Sequence, residues 1–250
     1  FAANDDLKIY PVGDLHVGAP EFDRREWDAF KKQLLSEPNS YITIGGDMMN
    51  NGLKSSVTNV YEEIMRPADQ KKWVAQELEP LRDKILCVIP GNHENRSGKD
   101  ADDSPLYDVC CKLDIEDLYR PNMAVVKLRI GDAEGNGLRN PTYTLSVIHG
   151  TGGGIYTGAT VNRNERFSYY FDGIDALIVG HSHKGAISKP KKVVVDHANN
   201  KIRMGKIDVI SSTAWLEYGG YALRKMLQPA SGGIQTLMLI GDHKESRILW

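Results

Sequence analysis

The feature that most constrains this chain is one event that occurs five times: an apolar run of strand length ends in a tight turn carrying polar side chains suited to metals or to proton transfer. The fullest instance is Ile85-Leu86-Cys87-Val88-Ile89-Pro90-Gly91-Asn92-His93-Glu94. Asn92 offers a neutral amide oxygen, His93 an imidazole that moves a proton near neutral pH, and Gly91 a backbone free to take unusual dihedrals. Leu7 to Val12 runs into Gly13-Asp14-Leu15-His16, where strand alternation turns Asp14 and His16 the same way. Tyr41 to Ile44 ends in Gly45-Gly46-Asp47, Thr142 to His149 ends in the histidine itself, and Ala176 to Gly180 ends in His181-Ser182-His183.

The segments between these runs predict the layering. Asp23 is placed to cap a helix reaching Leu35, with Trp27, Phe30, Leu34 and Leu35 on its buried face. Two helical pieces separated by Pro67 follow, with Tyr61, Ile64, Met65, Trp73, Val74 and Leu78 as core positions. Strands alternating with helices predict an α/β layered domain, in which a site forms at the strand ends. Asn95 to Ser104 is polar and reads as a loop, and Pro105 to Leu113 reads as a short helix. The second half is richer in strands, with Val125 to Ile130, Val193 to Asp196, Ile202 to Ile210 and Gln235 to Ile240 added to those above. Gly131 to Pro141 and Asn199-Asn200 read as turns, and Thr160 to Phe171 as a helix. One domain spanning residues 1–250 is expected.

Composition narrows the class. With 41% hydrophobic and 26% charged residues the chain is an ordinary globular protein, and neither an apolar run of spanning length nor a signal pattern stands at its start, Phe1-Ala2-Ala3. Three cysteines, two of them adjacent, do not make a disulfide framework, and the triplet Asn95-Arg96-Ser97 sits where a glycan would obstruct His93. Both point to a soluble, cytoplasmic protein. A net charge of −2 argues against coating nucleic acid by bulk electrostatics. Charge is nonetheless polarised. Lys184 to Lys206 holds seven basic residues against Asp196 alone, whereas Asp100 to Asp117 holds seven acids against one lysine.

Asp14, His16, Asp47, Asn92, His149, His181 and His183 form a mixed oxygen and nitrogen donor set. Such donors suit manganese, iron, zinc or nickel more than calcium, and the lack of cysteine argues against a structural zinc knot. Seven side chains exceed the needs of one ion that also binds water or substrate, so two metals sharing a carboxylate is the economical arrangement. In order, the blocks Asp14-Leu15-His16, Gly46-Asp47, Gly91-Asn92-His93-Glu94, His149-Gly150 and Gly180-His181-Ser182-His183 resemble those of the calcineurin-like metallophosphoesterases.

That resemblance covers residues 14 to 183 and implies a fold, a centre and a reaction. The fold is a four-layer αββα sandwich of two mixed β-sheets. In the centre Asp14, His16 and His183 hold one ion, Asn92, His149 and His181 the other, and Asp47 bridges them; manganese is the expected metal. His93 stays unligated and serves as the acid while a metal-bridging water attacks phosphorus in line. The implied substrate is a phosphoester, and the basic stretch beginning at Lys184 favours phosphodiesters, with DNA or RNA among them. A phosphomonoesterase, a small-molecule or cyclic-nucleotide phosphodiesterase and a non-catalytic metal-bound scaffold are the alternatives. Arg163 and Arg166 are further candidates for substrate phosphate. Family members that pair the catalytic histidine with a carboxylate carry it three residues after the bridging aspartate. Here that position is Asn50, whose amide oxygen is expected to accept from the ring instead. His197 and His243 match no block and read as loop residues.

Overall fold

The computed structural model describes residues 1, 5–56, 60–131, 140–229 and 232–250. Its first sheet takes the order β12-β11-β1-β2-β3, built from β1 (Leu7–Val12), β2 (Ser40–Ile44), β3 (Ile85–Val88), β11 (Thr236–Leu239) and β12 (Ser246–Leu249). The three strands that end in polar blocks, β1, β2 and β3, run parallel, and β11 and β12 close the sheet antiparallel. Pairing of β1 with β11 stops at Ile9, so Pro11 lies beyond the ladder its missing N–H would interrupt.

The second sheet takes the order β4-β5-β6-β10-β7, from β4 (Met123–Arg129), β5 (Thr142–Ile148), β6 (Ala176–Val179), β7 (Ala186–Ser188) and β10 (Asp208–Ser211). Here β5, β6 and β10 are parallel, and β4 and β7 are antiparallel at the edges. A separate ribbon pairs β8 (Lys191–Asp196) with β9 (Lys201–Lys206).

Leu7, Ile9, Cys87, Ile89, Leu237 and Leu239 of the first sheet pack on Ala124, Leu128, Tyr143, Leu145, Val147 and Ile178 of the second, so the sheets lie face to face. The outer face of the first sheet is covered by α1 (Arg24–Ser36), α2 (Pro67–Leu78) and α4 (Pro105–Lys112), through Trp27, Phe30, Leu34, Val74, Leu78, Leu106 and Val109. The outer face of the second packs Leu177, Val179 and Val209 on Phe167 of α5 (Thr157–Ser168). Four layers, αββα, result. No helix among the described residues is long and apolar enough to cross a membrane.

Local chemistry explains the agreements and the departures. Asp23 caps α1 as expected, its side chain accepting from the Glu26 N–H at 2.9 Å. Leu35 is 48% exposed, because Trp27, Phe30 and Leu34 already define the buried stripe and the next residue turns off it. Tyr61 and Ile64 are also exposed, at 92% and 71%. They lie in a short 3₁₀ turn (Val60–Glu62) and the bend after it, where no helical face gathers them. Asn95 to Ser104, expected to be a loop, begins as helix α3 (Glu94–Ala101). The predicted strand Ile202 to Ile210 is two strands: β9, exposed on both faces, pairs in the ribbon, and β10, fully buried, joins the second sheet. Short elements β7, β12 and α6 (Gly220–Arg224) carry too few residues for a periodic signal. The expected turn from Gly131 to Pro141 lies largely outside the described residues.

All three cysteines are free. Burial pushes the Cys87 and Cys110 thiols up to about 12, while Cys111 is exposed. Because the thiolate is the reacting species, one thiol of the three is expected to react promptly with an aromatic disulfide reagent in the folded protein, and all three in denaturant. Two prompt thiols would contradict the packing of Cys87 or Cys110.

Candidate metal centre

The carboxyl ends of β1, β2 and β3 meet those of β5 and β6 at one end of the sandwich. Asp14, His16, Asp47, His181 and His183 all hold left-handed backbone, with φ of 53°, 51°, 52°, 70° and 55°. This conformation is least unfavourable for Asp, Asn and His among residues with side chains. It curls the chain after each strand so that successive side chains return to one point, and the loops brace each other. Asp14 N–H donates to the Gly46 carbonyl at 2.9 Å and His16 N–H to the Asp47 carbonyl at 3.0 Å. The loops after β2 and β3 touch closely enough that a Cβ on Gly46 would meet Gly91 N at 2.2 Å, and one on Gly91 would meet Asp47 Oδ1 at 2.0 Å. Neither glycine has room for a side chain.

Three groups of ligand atoms result, Asp14 with His16 and His183, Asp47 with His149 and His181, and, overlapping both, His16 with Asp47 and His93, each drawn together within 4.8 Å. In the first, His16 Nε2 lies 2.9 Å from His183 Nε2, and His183 Nε2 lies 3.6 Å from Asp14 Oδ1. In the second, Asn92 Oδ1 lies 2.9 Å from His149 Nε2 and 2.7 Å from His181 Nδ1. Asp47 Oδ2 stands between the groups, 3.9 Å from His16 Nε2 and 3.3 Å from His149 Nε2. His149 Nδ1 donates to the Gly45 carbonyl at 2.7 Å, which turns Nε2 toward the cluster.

His93 stands at the side of this arrangement, with Nε2 3.8 Å from Asp47 Oδ2. Its Nδ1 donates to the backbone carbonyl of Asn50 at 2.7 Å. The Asn50 amide expected to hold the ring points elsewhere, its Nδ2 donating to Glu63 Oε1 at 2.9 Å. Ring orientation is therefore supplied by the Asn50 main chain, and the side chain secures that main chain.

The electrostatics are those of a desolvated cluster. Burial and the neighbouring Asp47 raise the pKa of Asp14. Burial opposes ionisation of Asp47 too, but the hydrogen bond from His149 and the charges of His93, His149 and His16 outweigh it and hold that carboxyl well below the usual range. Burial likewise disfavours a charged His149, yet Asp47 and Asp14 raise its pKa to about 10. His16 is lowered by burial and by His93 and His183. Asp14 Oδ1 is buried with no hydrogen-bond partner among the described residues. An orphaned carboxylate oxygen beside two imidazole nitrogens 2.9 Å apart is a donor set that a cation fits.

One residue that sequence reasoning quoted without a role is Glu94. Its carboxylate, 2% exposed, accepts from the N–H groups of Asp47 at 2.8 Å, Met49 at 3.0 Å and Gly91 at 2.8 Å. It thus welds the loop after β2 to the loop after β3.

The substrate candidates divide. Lys184 lines a cavity of about 990 Å³ together with His16, His93, His181 and His183. Its ammonium, however, is bonded to the Gly154 and Ile155 carbonyls, so it anchors the glycine loop. Arg163 is half-buried toward Gly152, with its Nε lacking a partner among the described residues, and Arg166 faces outward to the Tyr170 hydroxyl at 3.1 Å. Lys189 pairs with Asp208 at 3.3 Å and Lys192 bonds the Phe171 carbonyl at 2.8 Å.

Removing the Glu94 carboxylate leaves three buried amides unpaired, each costing about 1–3 kcal/mol. Glu94→Ala is expected to destabilise the metal-free protein by about 3 kcal/mol or more in urea unfolding. A loss below about 1 kcal/mol would mean that the two loops hold together without it.

No curated protein matches the sequence. Among solved structures the chain is similar to a predicted phosphoesterase from Streptococcus pneumoniae TIGR4 (10% identity, 98% of each chain, TM-score 0.40). It is also similar to Vps29 of Chaetomium thermophilum (11% identity, 97% of this chain and 96% of that one, TM-score 0.42). A third is the calcineurin-like phosphoesterase YfkN from Bacillus subtilis (13% identity, 97% and 90% covered, TM-score 0.41). The family model for calcineurin-like phosphoesterases matches residues 7–185, the stretch that supplies every side chain of the cluster, and the chain belongs to that family.

Proposed function

We propose that this protein hydrolyses phosphodiesters with two divalent cations, manganese for preference, and with His93 as the proton donor to the leaving oxygen. Asp14, His16 and His183 hold one ion, Asn92, His149 and His181 the other, and Asp47 is shared. Such a pair supplies an activated water and neutralises charge on the phosphoryl oxygens. The observation that carries the reading is the placing of His93: its Nε2 lies 3.8 Å from the shared carboxylate of Asp47, close enough to form a third triad with His16 and Asp47, and its ring lines the cavity where a substrate would sit.

The work of the protein's own residues follows from their contacts. His93 Nδ1 faces a carbonyl oxygen and so carries a hydrogen throughout, which makes Nε2 the position that gives up a proton. The His93 N–H donates to Asp47 Oδ1 at 2.8 Å, tying the donor to the shared carboxylate. The cavity of about 990 Å³ has room for both ester groups of a diester of small-molecule size, which supports the diester reading.

Nucleic acid is retained as a second reading because of the β8–β9 ribbon. Lys191 and Lys206 face each other across it, and Lys201 and Arg203 stand exposed, none with an ion-pair partner among the described residues. These cations, rather than Lys184, Lys189 or Lys192, are free to meet phosphates.

His93→Asn is expected to leave two metals per chain by elemental analysis while lowering turnover by about 10²–10⁴-fold. The loss is larger on an alkyl ester than on an activated aryl ester. Equal losses on both esters would remove His93 from the role of acid, and saturation of the wild type at one ion would remove the shared carboxylate.

For the second reading, Lys191→Ala, Lys201→Ala and Arg203→Ala together are expected to flatten the salt dependence of binding to a DNA or RNA oligonucleotide by roughly one unit of slope for each phosphate that is no longer neutralised. An unchanged slope would leave the ribbon as a solvated surface and restrict the substrate to small diesters.

A further inference from the structure

His93 is held at both ends by a closed circuit of hydrogen bonds that leaves the metal cluster and returns to it. Its Nδ1 donates to the Asn50 carbonyl at 2.7 Å, and Asn50 Nδ2 donates to Glu63 Oε1 at 2.9 Å. The other Glu63 oxygen accepts from Gln70 Nε2 at 2.7 Å, and Gln70 Oε1 accepts from the Asn51 N–H at 2.8 Å. Asn51 Nδ2 then donates to the carbonyl of His93 itself at 2.7 Å and to Ser97 Oγ at 2.9 Å. Gln70 is completely buried, while Glu63 reaches the wall of the cavity beside Asn50 and His93.

Within this circuit Glu63 is the junction. Asn50 and Gln70 each bring an N–H, and the two Glu63 oxygens accept one each. A carboxylate does so with charge-assisted bonds, about twice as strong as those between neutral groups. The segment that carries Glu63 lies between a 3₁₀ turn and α2, and its carboxylate joins the Asn50 side chain to Gln70 of α2, beside the direct bond from Asn51 to Gln70 and the Asn50 N–H bond to the Val17 carbonyl at 2.9 Å.

We propose that Glu63 is a positioning residue for His93: by holding the Asn50 amide it fixes the carbonyl that orients the imidazole, and so sets where Nε2 points, without touching the reacting atoms. The inference rests on the reading of His93 as proton donor given above. It also accounts for the amide at position 50. Glu63 Oε1 is 2.9 Å from Asn50 Nδ2, and an aspartate there would set two carboxylates against each other.

A double-mutant cycle on the manganese-loaded full chain tests this, with Glu63→Ala, Glu63→Gln and His93→Asn assayed on an alkyl and an activated aryl diester. Glu63→Ala is expected to lower kcat on the alkyl ester by up to about 100-fold, with metal content and KM unchanged. Glu63→Gln, which keeps the volume and one acceptor, loses less. In the His93→Asn background the same changes are expected to cost little more, because the group they position is gone. Equal fold-losses in the presence and absence of His93 would overturn the proposal, as would a loss confined to KM. If Glu63→Ala does not fold, Glu63→Gln decides by the same cycle. Failure of the acid reading is seen separately, in His93→Asn alone losing equally on both esters, whereas the cycle reports only whether Glu63 acts through His93.

Discussion

Three carboxylates with almost no solvent exposure, Asp14, Asp47 and Glu94, stand at one end of an otherwise apolar sandwich, and the rest of the site depends on making that tolerable. An ionised carboxylate deprived of water needs donors or cations around it. Glu94 is served entirely by main-chain amides, and Asp47 by the His93 N–H together with imidazoles. Asp14 receives the His181 N–H at 2.9 Å on one oxygen, and its other oxygen is left without a partner among the described residues. That ordering separates their uses. The fully satisfied carboxylate is scaffold, the partly satisfied ones face the place where a cation fits.

The backbone carries part of the strain. Holding five non-glycine residues left-handed is unfavourable, by about 1 kcal/mol or more each, and persists only where surrounding contacts over-determine it. Those contacts come from both sheets. His149 is tied to Gly45, and His181 to Asp14, so the Asp14, His16, His183 group and the Asp47, His149, His181 group each combine side chains from the first sheet with side chains from the second. The inter-sheet core of Ile9, Leu145, Val147 and Ile178 brings the strand ends into register for this.

What was legible in the sequence follows the same division. An apolar run that ends in a tight turn of polar, metal-suited side chains is a local signal, and all five strand ends carry it. The cap at Asp23 is likewise local. Helix α3 was not legible, because its ordering comes from the Glu94 carboxylate and the Asn51 amide and not from an apolar stripe. Nor was the partner of His93. A main-chain carbonyl leaves no trace in residue identity, so the sequence pattern points to the side chain of Asn50 and not to the backbone oxygen that the ring meets. The break between β9 and β10 was hidden inside one continuous run of strand-forming residues. Counting lysines from 184 onward likewise could not distinguish Lys184, bonded to the carbonyls of its own chain, from Lys201 at an open ribbon.

The mixing of the two sheets at one site also fixes an order of events during synthesis. Asp14 and His16 leave the ribosome early, but their group is completed by His183, and the bond from His181 to Asp14 closes a separation of 167 residues. Contacts that distant form late, after the intervening chain has paid its closure entropy. Until β6 has been made, the nascent chain holds the carboxylates and His16 of the first sheet without the imidazoles that complete either group. Neither the Asp14, His16, His183 triad nor the Asp47, His149, His181 triad exists in a fragment that ends before residue 181, so a cation held through the complete set is captured only once the loop after β6 has joined the first sheet.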